Sequence, residues 1–240
     1  MIQYNNVTKH FPGHTNALSD ITVEIKNGEF VYLIGPSGAG KTTLLRLLIR
    51  EILPTEGTII VDDWNLSHLN QSLIYLLRRK IGTVFQDYKL LMDRTVYENV
   101  AIGLEILGKG QKEIHTRVLD VLELVGLADK KDNFPIQLSA GEMQRTGIAR
   151  AIVGGPSILL ADEPTGNLDP QTSWDILDIL CEIQKIGTTI IMATHNASIV
   201  NEMKKRTILL QNGRIVSDEE KGKYHVHIKS KGKKEHEGIH

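Results

Sequence analysis

The segment Gly35 to Thr42 reads GPSGAGKT and packs three glycines, a lysine and a hydroxyl into eight residues. That mixture suits a bulky polyanion. Gly35, Gly38 and Gly40 let the backbone take positive φ and approach closely enough to aim N–H groups at phosphate oxygens. A helix starting at this point would add the positive end of its dipole. In a GxxxxGKT spacing, Lys41 reaches β- and γ-phosphates and the hydroxyl of Thr42 ligates Mg²⁺. Thr43 stands beside the α-phosphate, and Pro36, Ser37 and Ala39 complete the wrap. The pattern is that of a nucleoside-triphosphate site.

A metal-bound triphosphate also calls for acids. The run ILLADE ends in Asp162 and Glu163. Both fall at the C-terminal end of an apolar strand, where ligands bind in parallel α/β sheets. Asp162 is placed to hold Mg²⁺ through its water shell. Glu163 is placed to polarise an attacking water as general base.

These groups need elements to position them. Phe30 to Ile34 is continuously apolar, as a strand buried on both faces would be, and it runs straight into the glycine loop. The stretch TTLLRLLI after the loop reads as a helix with Leu44, Leu45, Leu48 and Ile49 inward. Further strands are expected at ITVEI, at TIIVDD after Gly57, at IGTVF, at SILLA (157–161) and at TTIIMAT (188–194). The last two are separated by the helical stretch SWDILDILCEIQ. TILLQ and RIVSD flank Asn212-Gly213, a strong hairpin signal. Between about 88 and 150 helical periods prevail: Ile114, Val118, Val121, Leu122 and Val125 share one face, and Gly126 can stop that helix. The pattern is an α/β core of about 1–87 and 155–218 interrupted by a helical insertion of about 88–154. A polar stretch of Lys, Gly and His occupies 219–240 and is expected to be flexible. Its alternating Tyr224, Val226 and Ile228 could form a short strand, and its histidines lack a coherent ligand spacing.

Composition removes several classes. The 240 residues are 41% hydrophobic and 24% charged, ordinary globular values. The net charge of −1 carries no electrostatic footprint of a nucleic-acid binder. Cys181 is the one cysteine, so no internal disulfide forms, and it reads as a buried helix residue. The start MIQYNNVTKHF, without a basic start and an apolar core, is not expected to act as a secretory leader, and the 240 residues hold no apolar stretch of roughly 18–20 residues. The expectation is a cytoplasmic protein whose contact with the membrane, on its inner face, is made through a partner.

Either phosphate motif alone would fit many NTPases. LSAGEMQR (138–145) lies before ILLADEP, with Gln86 after a strand, NLD at 167–169 and His195 in MATHN. With these motifs in this order, the chain from about residue 2 to 217 resembles the ATP-binding-cassette family. The resemblance implies a RecA-like P-loop NTPase core with an antiparallel β subdomain and an inserted α-helical subdomain. It implies a homodimer with ATP at the interface, each ATP held between the glycine loop of one copy and the LSAGE segment of the other. Ser139, Gly141 and Glu142 of that segment would then face the γ-phosphate from across the interface. Asp169 would align the opposing site, His195 would sense the γ-phosphate, and Gln86 would touch the metal or the water. Family position also points to Phe11 as the ring against adenine, with Tyr4 and Phe30 as competitors.

The first of the family's two usual glycines is replaced here by Ala140. If that position needs positive φ, alanine costs roughly 1 kcal/mol. Met143, where glutamine is common, reads as a packing variation. FQDYKLLMDRTVYENVA and DEPTGNLDPQTSW resemble the cell-division branch of the family, whose members work with an integral membrane protein to activate cell-wall hydrolases. Exporter ATPases for lipoproteins or macrolides share DEPTGNLD and are the alternative. Ribosome- or DNA-directed relatives fit less well, since one cassette without a coiled-coil insertion is present. Tyr88, Leu90, Leu91 and Met92 could line a groove for the membrane partner or pack inside the helical lobe.

Overall fold

The computed structural model describes residues 1–13 and 16–222. The residues from 223 onward, including Tyr224, Val226, Ile228 and the last histidines, lie outside that range. The chain opens with three strands, β1 (Ile2–Lys9), β2 (Leu18–Ile25) and β3 (Phe30–Ile34). Helix α1 (Lys41–Leu48) comes after the glycine loop, then β4 (Glu56–Val61), β5 (Trp64–Asn65), α2 (Ile74–Arg79) and β6 (Ile81–Val84). Helices α3 (Val96–Ile106), α4 (Gln111–Leu124) and α5 (Ala140–Ile152) come next, before β7 (Ile158–Asp162) and α6 (Pro170–Lys185). The chain returns through β8 (Thr189–Thr194) and α7 (Ala197–Met203) to the hairpin β9 (Arg206–Gln211) and β10 (Arg214–Glu219). Asn212 and Gly213 both take positive φ in that turn, as the hairpin signal requires.

Two sheets result. One is antiparallel in the order β2-β1-β4-β5; the other runs β10-β9-β3-β8-β7-β6, with β10 antiparallel to β9 and every other pair parallel. Strand β3 is central and apolar throughout because both of its faces are covered. Phe30, Tyr32 and Ile34 pack with the helices α3 to α6, while Val31 and Leu33 pack with α1 and the antiparallel sheet. Strand β8 divides the same way, with Ile190 and Met192 to one side and Ile191 and Ala193 to the other. One apolar cluster therefore runs from the sheet into α4, where Ile114, Val118, Val121 and Leu122 are buried as their period requires. Thr95 and Glu98 cap α3 reciprocally. The buried Asn99 amide bonds the main chain at Leu91 in both directions and pins the loop ahead of that helix. Among the described residues no helix is long and apolar enough to cross a membrane.

Candidate nucleotide site

The parallel strands end together, so the loops that leave them meet at one edge. A pocket of about 510 Å³ opens there, lined by the loop from Ser37 to Thr43 and by Ala17, Gln86, Asp162, Glu163 and His195. Gly40 caps α1 at φ 107, and a Cβ on it would lie 2.6 Å from the carbonyl oxygen of Ala17. Glycine is needed there on both counts. Ala17 offers no side-chain chemistry, which is why the sequence does not point to it.

Lys41 is buried, and its Nζ donates to the carbonyls of Gly35 at 2.8 Å and Pro36 at 3.3 Å. It also lies 3.9 Å from Glu163 Oε1. The other oxygen of Glu163 accepts from His195, 2.9 Å from Nδ1 and 3.3 Å from the backbone nitrogen. The lysine and the histidine thus hold the Glu163 carboxylate from two sides. Its backbone sits at φ 50, an uncommon conformation for glutamate, and is anchored by a bond from its N–H to the Ala193 carbonyl. That turn swings Glu163 out of line with β7, whereas Asp162 stays in the strand. The Thr42 side chain stands beside Asp162 in the pocket and favours its ionised form.

Burial raises the Asp162 pKa; the Thr42 side chain and Lys41 oppose that rise, and Glu163 adds to it. A carboxyl that binds its proton more tightly in the folded chain lowers stability as pH rises through the window between its unfolded and folded pKa values. Above that window the penalty remains in full. Asp162→Asn is therefore expected to raise Tm at pH 7. The gain should vanish in melts below about pH 3, where the carboxyl is protonated in both states; an unchanged or lowered Tm at pH 7 would contradict it.

Ser139, Gly141, Glu142, Asp169 and Phe11 do not line this pocket. Ser139 caps α5 in a reciprocal box: its Oγ accepts from the Glu142 N–H at 3.3 Å, and Glu142 accepts from the Ser139 N–H at 2.8 Å. The hydroxyl proton of Ser139 is left to donate elsewhere. The bond from the Ser139 N–H holds the Glu142 carboxyl below its ordinary pKa. Asp169 caps α6, accepting from Thr172 N at 3.0 Å and Thr172 Oγ1 at 2.5 Å, and those bonds lower its pKa too. The two helix starts touch, since a Cβ on Gly141 would fall 2.4 Å from Thr172 Cγ2. Thr172 thus joins the LSAGE turn to Asp169, a link that only the folded chain reveals.

Ala140 resolves differently from the sequence expectation. It is the first residue of α5 and is absent from the positive-φ positions, so its Cβ carries no backbone penalty. Met143 packs against the core as a packing variation would. Of the three aromatic candidates, Tyr4 and Phe30 are buried, with Tyr4 Oη donating to the Leu44 carbonyl. Phe11 is half-buried, with Lys9 Nζ 5.1 Å from its ring centre. Cys181 is half-buried rather than enclosed, and burial raises its thiol pKa.

Gln86 reaches the pocket from the end of β6, and the turn behind it is unusual. Tyr88 and Lys89 both take positive φ, 60° and 50°, without a glycine. Arg150, on α5, secures them by donating to the Tyr88 carbonyl at 2.9 Å and to the Lys89 carbonyl at 2.7 Å. Arg150 is not evident from the sequence; its one signal there is a cation between Ala149 and Ile152 on a largely buried helix face.

A strand, glycine loop and helix joined to paired acids and a helical insertion define a P-loop ATP-binding cassette. The ABC transporter family matches residues 18–166, and the chain belongs to that family. It is 52% identical over 224 residues to the cell division ATP-binding protein FtsE of Bacillus subtilis, covering 93% of this chain and 98% of that one. The FtsE of Streptococcus pneumoniae serotype 2 is 50% identical over 224 residues, covering 93% and 97%. Within the family the chain stands among the FtsE proteins. Among solved structures it is similar to a dimeric post-hydrolysis state of the cassette MJ0796 bound to ADP and Pi. That match has a TM-score of 0.83 at 33% identity, with 93% of this chain and 100% of the other covered.

With Ala140 in the first turn of α5, Ala140→Gly is expected to lower Tm by a few degrees, consistent with a cost of up to about 1 kcal/mol. ATP turnover should change by less than about twofold. A several-fold rise in turnover would show that the alanine does restrain the turn.

Proposed function

We propose that this chain is the ATP-binding and ATP-hydrolysing subunit of an FtsEX-like complex, in which closure of a dimer on ATP drives an FtsX-like integral membrane protein that regulates cell-wall hydrolysis during bacterial division. The observation that carries the reading is the split of the site. One pocket gathers the glycine loop, Gln86, Asp162, Glu163 and His195, while Ser139, Gly141 and Asp169 stand at joined helix starts outside it. A second copy completes the site by presenting its α5 N-terminus, an anion-favouring helix end, to the γ-phosphate. Phe11 stacks on adenine.

The oxygen donors fit Mg²⁺, a hard cation usually held by one or two protein oxygens together with substrate phosphates. Thr42 and Asp162, neighbours in the pocket, are that pair, and Gln86 joins them. Bound Mg²⁺ would neutralise charge building on the phosphate oxygens. Glu163 takes the proton of the attacking water. His195 holds that carboxylate in place and reports the γ-phosphate. Lys41 neutralises the β- and γ-oxygens. The helical insertion, about 88–154, moves the α5 turn relative to the core and connects the pocket to the partner. The protein works on the cytoplasmic face of the membrane, held there by that partner and without nucleic acid.

Recovery from detergent-solubilised membranes, with and without ATP, tests the assignment. The expected catch is an FtsX-like membrane protein. Recovery of an exporter subunit would favour a lipoprotein- or macrolide-type complex, and recovery of ribosomes or DNA would overturn the reading.

A further inference from the structure

Helix α5 closes the helical insertion and α6 belongs to the core, yet their first turns meet at one pair of residues. A Cβ on Gly141 would fall 2.4 Å from Thr172 Cγ2, well inside the roughly 3.5–4.0 Å at which carbon atoms rest against each other. The methyl therefore lies on the glycine itself. The next side chain, Arg145, would stand 3.9 Å from that Cβ.

The two branches of the Thr172 side chain serve different elements. Its Oγ1 donates to Asp169 Oδ2 at 2.5 Å, while its N–H already donates to Asp169 Oδ1 at 3.0 Å. The helix cap needs only that backbone bond, which any residue would supply. The methyl turns away from the cap and reaches α5. On the core side the Asp169 turn is stiff: buried Ser173 donates through Oγ to the Asp169 carbonyl at 2.8 Å. Two further turns run back to the pocket, from the Leu168 N–H to the Thr165 carbonyl at 3.2 Å and from the Gly166 N–H to the Glu163 carbonyl at 3.1 Å. On the α5 side the Ser139–Glu142 box fixes the turn but leaves the N–H groups of Ala140 and Gly141, at the first two helical positions, without a partner inside the helix.

From this we infer that Thr172 is a positioning residue for the half-site presented to a second copy, its methyl holding the LSAGE turn in register with Asp169 before that copy arrives. The inference rests on the dimer reading above and names the contact that joins the two arms. Ser139, Gly141 and Asp169 stand on two elements, yet they must meet the opposing nucleotide together. Helix starts that slide independently lose that freedom on docking, at a cost in affinity; a pair packed beforehand has lost it already. Thr172 does not line the chain's own pocket, so it acts on the dimer and not on nucleotide capture by a single chain. Serine at this position would keep the cap and lose the contact with Gly141. Valine would keep the contact and lose only the hydroxyl bond.

The test compares Thr172→Ser with Thr172→Val, each in the full chain carrying Glu163→Gln so that hydrolysis does not dissolve the ATP-bound dimer. In saturating ATP, Thr172→Ser should raise the dimer dissociation constant about tenfold, the scale of one buried methyl group, roughly fourfold, lost in each of two copies. ATP affinity of the dilute single chain should stay within about twofold. Thr172→Val should dimerise within about twofold of Glu163→Gln alone. A second arm needs no dimer: amide exchange without nucleotide at Ser139, Glu142 and Met143, whose N–H groups are all bonded in the α5 turn. Exchange there should quicken about fourfold in the serine variant and hold in the valine variant. If the serine variant dimerises like its parent, the inference falls and the dimer reading stands. If Glu163→Gln itself forms no dimer in ATP, the dimer reading falls and takes this role with it, even where exchange shows the two turns joined. Equal losses in the serine and valine variants would assign the effect to the hydroxyl and overturn the role of the methyl.

Discussion

Glu163→Gln is expected to bind ATP within a few-fold of the unmodified chain yet hydrolyse it roughly 10²–10⁴-fold more slowly, the usual contribution of a positioned general base. The substitution is nearly isosteric. A glutamine oxygen can still accept from the His195 backbone and ring, so the clamp on this side chain survives in outline. What disappears is the ability to take a proton from water. The negative charge 3.9 Å from Lys41 goes too, which leaves the lysine freer to engage phosphate. With binding intact and turnover stalled, the variant should accumulate as an ATP-bound dimer. Phosphate release and light scattering in the presence of ATP measure the two effects separately. Near-normal turnover would remove Glu163 from its role, and slow turnover with no dimer would count against closure on ATP.

Lys41→Ala should abolish tight triphosphate binding. Its ammonium is buried, held by two loop carbonyls, and is the cation central to the pocket. Truncating one partner of a buried charge pair costs about 2–5 kcal/mol, or roughly 30- to several-thousand-fold in affinity. The loss should be largest for ATP and smallest for a nucleoside monophosphate if, as proposed, the lysine serves the β- and γ-phosphates. Calorimetry with ATP, ADP and AMP reads that gradient. Equal affinities for variant and unmodified chain would overturn the assignment of the loop. Arginine is not a neutral replacement, since its planar fork is far wider than an ammonium.

The core of the site was legible because several local signals agreed there. An apolar run, three glycines, Lys-Thr and an amphipathic helix each have their own physical cause, and all place the same loop between β3 and α1. Asp162 and Glu163 were legible for the same reason, as the acids closing an apolar strand. The sequence could not reveal what depends on distant neighbours. Gly141 is required by the methyl of Thr172, 31 positions away in the chain, and not by its own φ. Ala140 raised concern only because the motif was read without its helix start. Tyr4 and Phe30 are buried, a fact that their own neighbours in sequence do not disclose.

The turn at Tyr88 and Lys89 has a consequence for motion. Two consecutive left-handed residues cost about 1–2 kcal/mol each, and two charge-assisted bonds from Arg150 return about 1.5–3 kcal/mol each. The balance is a margin of at most a few kcal/mol, so a released form of the turn should be populated on the order of 0.1–10%. Exchange between the two falls in the microsecond-to-millisecond range typical of such rearrangements. Relaxation dispersion at residues 86–90 would then see Gln86 visiting and leaving the pocket, with a clock set by one arginine.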